Sequence, residues 1–338
     1  MATPSIAALD ARYPGVSLQV AVGRWAEPAF AGNRRVAGLL STGGLLGGRR
    51  PSPRELLRVA GAIRRRRYDG AVVLERSLWL ALLPLLAGVA VRVGLDSGGR
   101  GLSHTRAVPV TKAARHEAEL YLDCAALLDA PRPEPSRMEF SPDDPARAAA
   151  ADRLRRAGWR GEPFALLHPG GGSNPGMRLL SKRWPPERFA EIARRLDARG
   201  LRPALVWGDG RDEDTLAARV ASAAPPCLLR LGQGLSFGEL AAAAERASLY
   251  LGNDSGPTHL AVAVGTPTVA VFGPSDERRY GPFGRFPDGT PIGEAVASPH
   301  LARDAPSVGW LERRVEAVTV EQVWAAVERG LARSAARR

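Results

Sequence analysis

Short apolar, β-branched runs alternate with amphipathic segments along the first part of the chain. The apolar runs predict strands, and the amphipathic segments between them predict helices. The strands lack an alternation of polar and apolar residues, which is typical of parallel strands covered on both faces. This order predicts an α/β sheet with crossover helices. The predicted strands are 16–22, 71–74 and 89–93, and the predicted helices are 53–67, 78–87 and 117–128.

A proline-rich, polar stretch at 131–145 interrupts this series and is typical of a linker. A second series follows, with strands at 164–167, 204–207, 228–231, 249–252 and 268–272 and helices at 146–157, 212–223, 236–246 and 259–264. A chain of 338 residues exceeds one ordinary hydrophobic core. We therefore predict two doubly wound, Rossmann-like domains, residues 1–140 and 141–338. Their ligand is expected at the carboxyl ends of the strands, in a cleft between the domains.

The composition excludes several classes of protein. An apolar fraction of 45% and a charged fraction of 24% are normal for a globular chain and argue against disorder. Cys124 and Cys227 lie far apart without metal-ligand spacing, so we predict neither a zinc site nor a disulfide framework, and a cytoplasmic location. No signal peptide is recognised at the N-terminus. The apolar run 78–91 is shorter than the roughly 18 residues of a spanning helix, and we expect a buried helix and strand there.

Positive charge is concentrated in the predicted first domain. Residues 1–140 hold 20 Lys and Arg against 12 Asp and Glu, so they carry +8 of the total +12. This surplus favours an anionic acceptor or a peripheral contact with an anionic membrane surface. We predict no nucleic-acid binding, because the arginines are dispersed and no binding motif is present. The chain has only two lysines, Lys112 and Lys182. Lys112 has no motif around it and is expected to be an ordinary surface residue.

Lys182 lies in the first of three segments whose residues predict a functional site. This segment directly follows the predicted strand 164–167. His168 is followed there by Pro-Gly-Gly-Gly, and Pro185 and Pro186 then begin a helix. Glycines after a parallel strand present bare amides to an anion, and a lysine beside a helix N-terminus adds charge. The segment lacks the Gly-Lys-Ser/Thr signature of a Walker A loop. It predicts an anion site; a solvated loop is the alternative.

The second segment is Leu-Gly-Asn-Asp-Ser-Gly-Pro-Thr-His at 251–259. It predicts a strand end, a turn, and a helix that begins near Pro257 and is capped by Asp254 or Ser255. The helix dipole and amides would hold a diphosphate without a metal. His259 would donate to an oxygen of that group. The structural alternatives are a plain N-cap at Asp254 and a packed polar side chain at His259.

A third segment, Val-Trp-Gly-Asp-Gly-Arg-Asp-Glu-Asp at 206–214, ends another predicted strand. An acidic side chain at this place in a nucleotide-binding half bonds ribose hydroxyls. Asp212 and Glu213 are the candidates, and an ordinary acidic helix start is the alternative.

The motifs together resemble glycosyltransferase family 9, the ADP-heptose:lipopolysaccharide heptosyltransferases. The resemblance rests on Ser-Lys-Arg-Trp-Pro (181–185), on Gly-Asn-Asp-Ser-Gly-Pro-Thr-His-Leu-Ala (252–261) and on Pro-Thr-Val-Ala-Val-Phe-Gly-Pro (267–274), and it extends over nearly the whole chain. It implies the GT-B fold, two Rossmann-like domains with the donor in the second. It also implies transfer of heptose with inversion and without a metal or cofactor. The acceptor would be a lipopolysaccharide-core or related, lipid-linked glycan.

The resemblance implies a role for each matching residue. Lys182 would stabilise the departing ADP and, with Ser181, hold the donor diphosphate. The phosphate and sugar of the donor would be contacted by Asp254, Ser255, Gly256 and His259. Asp212 or Glu213 would bind the ribose, and Leu235 would pack near the adenine.

Members of the family begin with a strand and a Gly-Asp loop, whose Asp is the expected general base. Here residues 4–14 already resemble the family's first helix, so the base is unknown. We expect a natural start upstream of Met1, and the alternative is a chain that binds the donor and is inactive. Another GT-B enzyme, using a different nucleotide sugar, is a further alternative. The predicted location is the cytoplasm, at the inner face of the cytoplasmic membrane.

Overall fold

A computed structural model describes residues 1–43, 45, 51–111, 113–174, 177–298 and 313–336. Lys112 falls outside these residues, so its predicted surface position is untested. The chain divides into two compact units. Unit 1 contains Met1–Ser136 with Asn174–Met177, and unit 2 contains Arg137–Ser173 with Arg178–Arg338. The predicted division after residue 140 lies close to this one.

Unit 1 is built from short parallel strands and helices. Two of its strands form one sheet in the order β1-β2, and three form another in the order β3-β4-β5. Helix α1 packs against α4, and α2 packs against α3. The elements are α1 (Thr3–Arg12), β1 (Gln19–Val22), β2 (Gly38–Ser41), α2 (Pro53–Arg65), β3 (Gly70–Val73), α3 (Leu78–Leu86), β4 (Val91–Asp96), β5 (Arg106–Pro109) and α4 (Glu117–Ala126).

Helix α3 departs from the expectation that the apolar run at 78–91 is buried. Leu80 and Leu83 belong to a core cluster shared with α2. The opposite face carries Leu78, Leu85 and Leu86, whose exposed fractions are 44%, 42% and 45%. The helix is apolar on both faces, and the sequence pattern therefore could not identify the exposed one. In the described part of the chain, no helix is both long and apolar enough to span a bilayer.

Unit 2 has a six-stranded sheet in the order β10-β9-β6-β11-β12-β13. All of its neighbouring strands are parallel. The short strands β7 and β8 pair with each other in the loop after β6, and Asn174 and Met177 in them are grouped with unit 1. The elements are α5 (Asp144–Arg156), β6 (Phe164–His168), β7 (Ser173–Asn174), β8 (Met177–Arg178), α6 (Pro186–Ala198), β9 (Arg202–Val206), α7 (Arg211–Ala223), β10 (Leu229–Gly232), α8 (Phe237–Arg246), β11 (Leu249–Asn253), α9 (Gly256–Ala263), β12 (Thr268–Phe272), α10 (Glu277–Tyr280), β13 (Gly293–Ala297) and α11 (Val320–Ala335).

Helices cover both faces of this sheet. On one face Ala165 and Leu167 of β6 join a cluster with residues of α6, α7 and α11. On the other face Phe164 and Leu166 join a cluster with residues of α5, α8 and α9. Successive strand residues point to opposite faces of the sheet, and here the side chains on both faces are buried. This burial explains the unbroken apolar runs and confirms the predicted doubly wound α/β class.

The order of strands in unit 2 creates a switch point between β6 and β11. From β6 the chain proceeds through β9 to β10 on one side, and from β11 through β12 to β13 on the other. The loops that leave β6 and β11 therefore diverge at neighbouring strand ends. A crevice for ligands forms at such a point, beyond the carboxyl ends of the strands.

Five strands were absent from the sequence prediction: β2, β5, β13 and the two-residue strands β7 and β8. The sequence of β5 is Arg-Ala-Val-Pro, and that of β13 is Gly-Glu-Ala-Val-Ala. Both strands are short and contain a charged residue, and β5 ends at a proline. They therefore lack the apolar run that marks the inner strands.

Candidate active site

The loop after β6 places glycine residues, which have no side chains, at the switch point. Gly171 has φ +100° and Gly172 has φ +75°, a left-handed conformation that glycine adopts most readily. A Cβ atom at Gly171 would lie 2.7 Å from Cβ of Ser255. The glycine therefore lets this loop approach the loop that follows β11. Two of the segments predicted to bind the donor are in direct proximity.

Lys182 and Asp254 form an ion pair across these two loops. Lys182 Nζ donates to Asp254 Oδ2 at 2.6 Å. The side chains are 17% and 6% exposed, so the pair is largely removed from water. Lys182 ends a short 3-10 turn, Leu180–Lys182, ahead of α6. Asp254 follows the last residue of β11.

The N-terminus of α9 lies directly after Asp254. The prediction that Asp254 or Ser255 caps this helix is confirmed for the position of Ser255 only. Ser255 occupies the N-cap position, but its side chain accepts no capping hydrogen bond from a backbone N–H of the helix. The Asp254 carboxylate is instead engaged by Lys182. Gly256 begins the helix and is exposed, and His259 is half-buried on its first turn.

Asn253, to which the sequence analysis gave no role, connects three segments of the site. Its fully buried side chain donates from Nδ2 to the carbonyls of Pro169 (2.7 Å) and Gly170 (3.0 Å). Its Oδ1 accepts from the backbone N–H of Trp184 at 3.0 Å. An amide is suited to this position because it donates and accepts at once. Asn253 therefore fixes the glycine loop and the Lys182 segment to the end of β11.

Trp184 extends this connection to the C-terminal part of unit 2. Its ring is fully buried, and Nε1 donates to the carbonyl of Val318 at 2.9 Å. Val318 directly precedes Thr319, the N-cap of α11. Trp184 is thus a packing residue of the core. Its indole N–H also has a partner, as buried tryptophans usually require.

The two candidates for ribose binding differ in their environments. Asp212 is exposed and pairs with Arg178. Glu213 is buried, and its carboxylate accepts from the amides of Gly171 (3.1 Å) and Gly208 (3.3 Å). It also accepts from Arg183 Nη2 at 2.5 Å. The structure brings Glu213 to the glycine loop and leaves Asp212 at the surface.

His168, the last residue of β6, lies near this carboxylate. Burial lowers the pKa of its imidazole to about 4, since a charged ring is disfavoured away from water. The Glu213 carboxylate opposes that effect, and Arg183 adds to it. At neutral pH the ring is uncharged and adds no positive charge for an anion.

The remaining predicted residues lie at the edges of this region. Ser181 is exposed within the 3-10 turn that ends at Lys182. Leu235 lies between β10 and α8 and is partly buried against a core cluster. Among the residues that the structure describes, no group of three or more His, Cys, Asp or Glu could hold a metal ion.

The sequence of this chain matches a known protein family. Residues 56–290 match the family described as glycosyltransferase family 9 (heptosyltransferase). The chain belongs to this family. This family 9 glycosyltransferase is also 25% identical over 295 residues to lipopolysaccharide heptosyltransferase 3 of Escherichia coli, covering 84% of the chain and 82% of the relative.

Solved structures share the fold of this glycosyltransferase. A family 9 glycosyl transferase from Veillonella parvula superposes with a TM-score of 0.82 and 21% identity, over 98% of this chain and 93% of that one. The E. coli heptosyltransferase WaaC, solved with ADP-2-deoxy-2-fluoro heptose, has a TM-score of 0.68 and 19% identity, over 97% and 94%. The predicted GT-B class of two Rossmann-like units is confirmed by this likeness. The predicted cleft between the units stays a prediction.

Proposed function

We propose that this glycosyltransferase transfers heptose from ADP-heptose or a closely similar nucleotide sugar to a lipopolysaccharide-core or related glycan. The observation that carries the proposal is the position of Lys182, whose ammonium lies at the switch point beside a glycine loop. Support also comes from relatives named as lipopolysaccharide heptosyltransferases. The E. coli heptosyltransferase solved with an ADP-heptose analogue supports the choice of donor.

In the proposed reaction, an acceptor hydroxyl oxygen attacks the anomeric carbon of heptose from the face opposite to ADP. The new C–O bond forms as the bond to the β-phosphate oxygen breaks, and the configuration inverts. The electron pair stays on the departing ADP, whose added negative charge the Lys182 ammonium stabilises. The acceptor proton passes to a general base, to which we assign no described residue. No metal or cofactor enters the proposed steps.

Donor binding can be tested by isothermal titration calorimetry with ADP. We expect ADP to bind and Lys182→Ala to weaken it at least tenfold, since a charge-assisted contact to phosphate is lost. Arg155→Ala, at an exposed pair on α5, is a control that should leave the affinity unchanged. Absence of ADP binding, or binding indifferent to Lys182→Ala, would remove the basis of the donor assignment. Preferential stabilisation by UDP sugars would identify a different nucleotide.

Turnover distinguishes an enzyme from a donor-binding chain. We expect release of ADP from ADP-heptose to accelerate when core-glycan acceptor is added. A protein that binds ADP-heptose and releases no ADP with any acceptor would be the inactive donor-binding form. The two measurements together therefore test the donor and the reaction separately.

We also propose that unit 1 makes peripheral contact with the cytoplasmic face of an anionic membrane. The contact surface is the leucine face of α3, formed by Leu78, Leu82, Leu85 and Leu86. These residues follow helical spacing on the side that faces away from the core. Leu102, 94% exposed, lies on the 3-10 turn Arg100–Ser103, which packs against α3.

Charge favours a lipid surface as the occupant of the leucine face. Helix α3 contains no charged residue. The neighbouring helix α2 presents Arg54, Arg58 and Arg65 on its exposed side. Arginines on the helix that packs against α3, together with exposed leucines on α3, fit anionic headgroups above an apolar interior. A second copy of the chain would instead bring like charges together.

Sedimentation with vesicles tests this contact. We expect binding to phosphatidylglycerol-rich vesicles, weaker binding at high salt, and little binding to phosphatidylcholine alone. Leu86→Ser and Leu102→Ser should each reduce binding, while Val16→Ser, an exposed apolar residue outside α3, should not. Equal binding by all variants would contradict the proposal. Dimerisation that Leu86→Ser abolishes would assign the face to a second copy.

A further inference from the structure

Three consecutive acidic residues lie in the first turn of α7, and only the middle one is directed into the protein. Asp212 and Asp214 are exposed, and Asp214 Oδ1 accepts from the indole of Trp207 at 2.9 Å. The Glu213 side chain is 11% exposed. Burial of a carboxylate is costly unless charge and hydrogen bonds compensate it. The partners of Glu213 are therefore central to what it does.

Those partners form a closed arrangement with the glycine loop. Glu213 accepts from the Gly171 amide, and Arg183, paired with Glu213, donates from Nε to the Gly171 carbonyl at 2.8 Å. Both backbone groups of Gly171 are thus held by one ion pair. The second carboxylate oxygen accepts from Gly208 after β9. The pair therefore connects the loops that leave β6 and β9.

The carboxylate also occupies the space beside Gly170. A Cβ atom built there would lie 1.9 Å from Glu213 Oε2. Glu213 is packed against the loop, and both of its oxygens are directed to groups of the protein. A ribose diol would have to displace those buried bonds to reach it.

We propose that Glu213 is a positioning residue, which with Arg183 holds the glycine loop and the adjoining Lys182 segment in the shape that receives the donor diphosphate. The ribose hydroxyls of the nucleoside are then bound by Asp212, the exposed candidate. This inference rests on the proposed function in that the donor is a nucleoside diphosphate. Glu213 thus affects binding of the diphosphate by holding the glycine loop, and it makes no contact with the ligand itself.

A cycle of variants and ligands separates positioning from direct contact. ADP and 2′,3′-dideoxy-ADP are titrated into the wild type, Glu213→Gln and Asp212→Asn. For Glu213→Gln we expect both affinities to fall by the same factor, about tenfold, because a charged hydrogen bond to the loop is weakened. The preference for ADP over the dideoxy compound should then be unchanged. In Asp212→Asn that preference should decrease.

A loss of the preference for ADP in Glu213→Gln would overturn the inference, because it indicates direct contact with the hydroxyls. An unchanged affinity for both ligands would overturn it equally. If the wild type fails to bind ADP, the proposed function fails instead. Hydrogen–deuterium exchange without ligand then still tests the positioning role.

In that experiment peptides that cover 169–173 should exchange faster in Glu213→Gln than in the wild type, whereas those of α11 should not change. Arg183→Gln should reproduce the effect from the other side of the pair, and it serves as the second variant if Glu213→Gln folds poorly. If the exchange rate of peptides covering 169–173 is the same in the wild type and in all folded variants, the positioning role of Glu213 is contradicted.

Discussion

The ammonium of Lys182 lies 2.6 Å from the Asp254 carboxylate, in a pair with side-chain exposures of only 17% and 6%. The cation is thus positioned and neutralised before any donor binds. A diphosphate at this place must share the ammonium with Asp254 or displace it. Substitutions on the two sides of the pair should therefore have different consequences.

Lys182→Arg should impair transfer although it keeps the charge. A planar guanidinium presents its donors in a fixed fork and cannot replace a compact ammonium at this buried pair. We expect kcat to fall by about 10²-fold, the typical effect of losing one donor to a developing charge. Steady-state kinetics with ADP-heptose and acceptor measures this, with the reverse exchange, Arg155→Lys at an exposed pair, as the control. Full activity of Lys182→Arg would contradict the role given to the ammonium.

Asp254→Asn should separate ADP binding from stability. The substitution removes a negative charge beside the diphosphate and releases Lys182 to it, so the affinity for ADP should be equal or higher. Without ligand the folded state should lose about 3 kcal/mol, because a largely buried cation is left without its partner. Calorimetry with ADP and urea unfolding measure the two effects. A large loss of ADP affinity with unchanged stability would show that the pair is not the competing interaction described here.

His168 should make stability depend on pH in a mildly acidic range. Its pKa is about 4 in the folded protein, against 6.5 for an ordinary histidine. The unfolded chain therefore binds a proton at a pH where the folded protein does not, and the free energy of unfolding falls as pH decreases from about 6.5 towards 4. The contribution is at most about 3 kcal/mol. Urea titrations at several pH values should show a smaller decrease for His168→Gln than for the wild type.

Gly170→Ala should destabilise unit 2 and weaken ADP binding together. The added methyl would meet Glu213 Oε2 at 1.9 Å and force the carboxylate from its bonds. We expect a loss of about 1–3 kcal/mol, typical of overpacking. Gly61→Ala is the matched control, since its nearest neighbour would be Arg65 Nη1 at 3.7 Å within α2. That change should stabilise unit 1 by about 0.5–1 kcal/mol. Equal effects of the two substitutions in urea unfolding would refute the close packing at Gly170.

The inner strands of unit 2 could be predicted because both of their faces are buried. Leu166 and Leu167 of β6 point to opposite core clusters, so the apolar run has no polar interruption. The edge strand β13 lacks this constraint and was missed. The exposed face of α3 was missed for the opposite reason, since its residues are apolar on every side.

Within the site, sequence spacing identified Lys182 and the turn after β11, because glycines and a rare lysine mark them. It did not identify Asn253, whose partners are 69 to 84 residues away in the chain, or Arg183, whose partners are 12 and 30 residues away. It also could not distinguish Asp212 from Glu213. One residue along a helix rotates the side chain by about 100°, and only the packed loop determines which of the two is enclosed.

Trp184 connects the segment that carries Lys182 to the residues just before α11. Lys182 is two positions away from this tryptophan, whose indole is hydrogen-bonded to Val318 just before α11. A fusion tag, a binding protein or a protease that pulled α11 from the sheet would also release the indole. The segment that carries the ammonium would then lose its support, although no ligand-binding group had been altered. If Lys182 contacts the donor as proposed, donor affinity should therefore depend on whether α11 is docked.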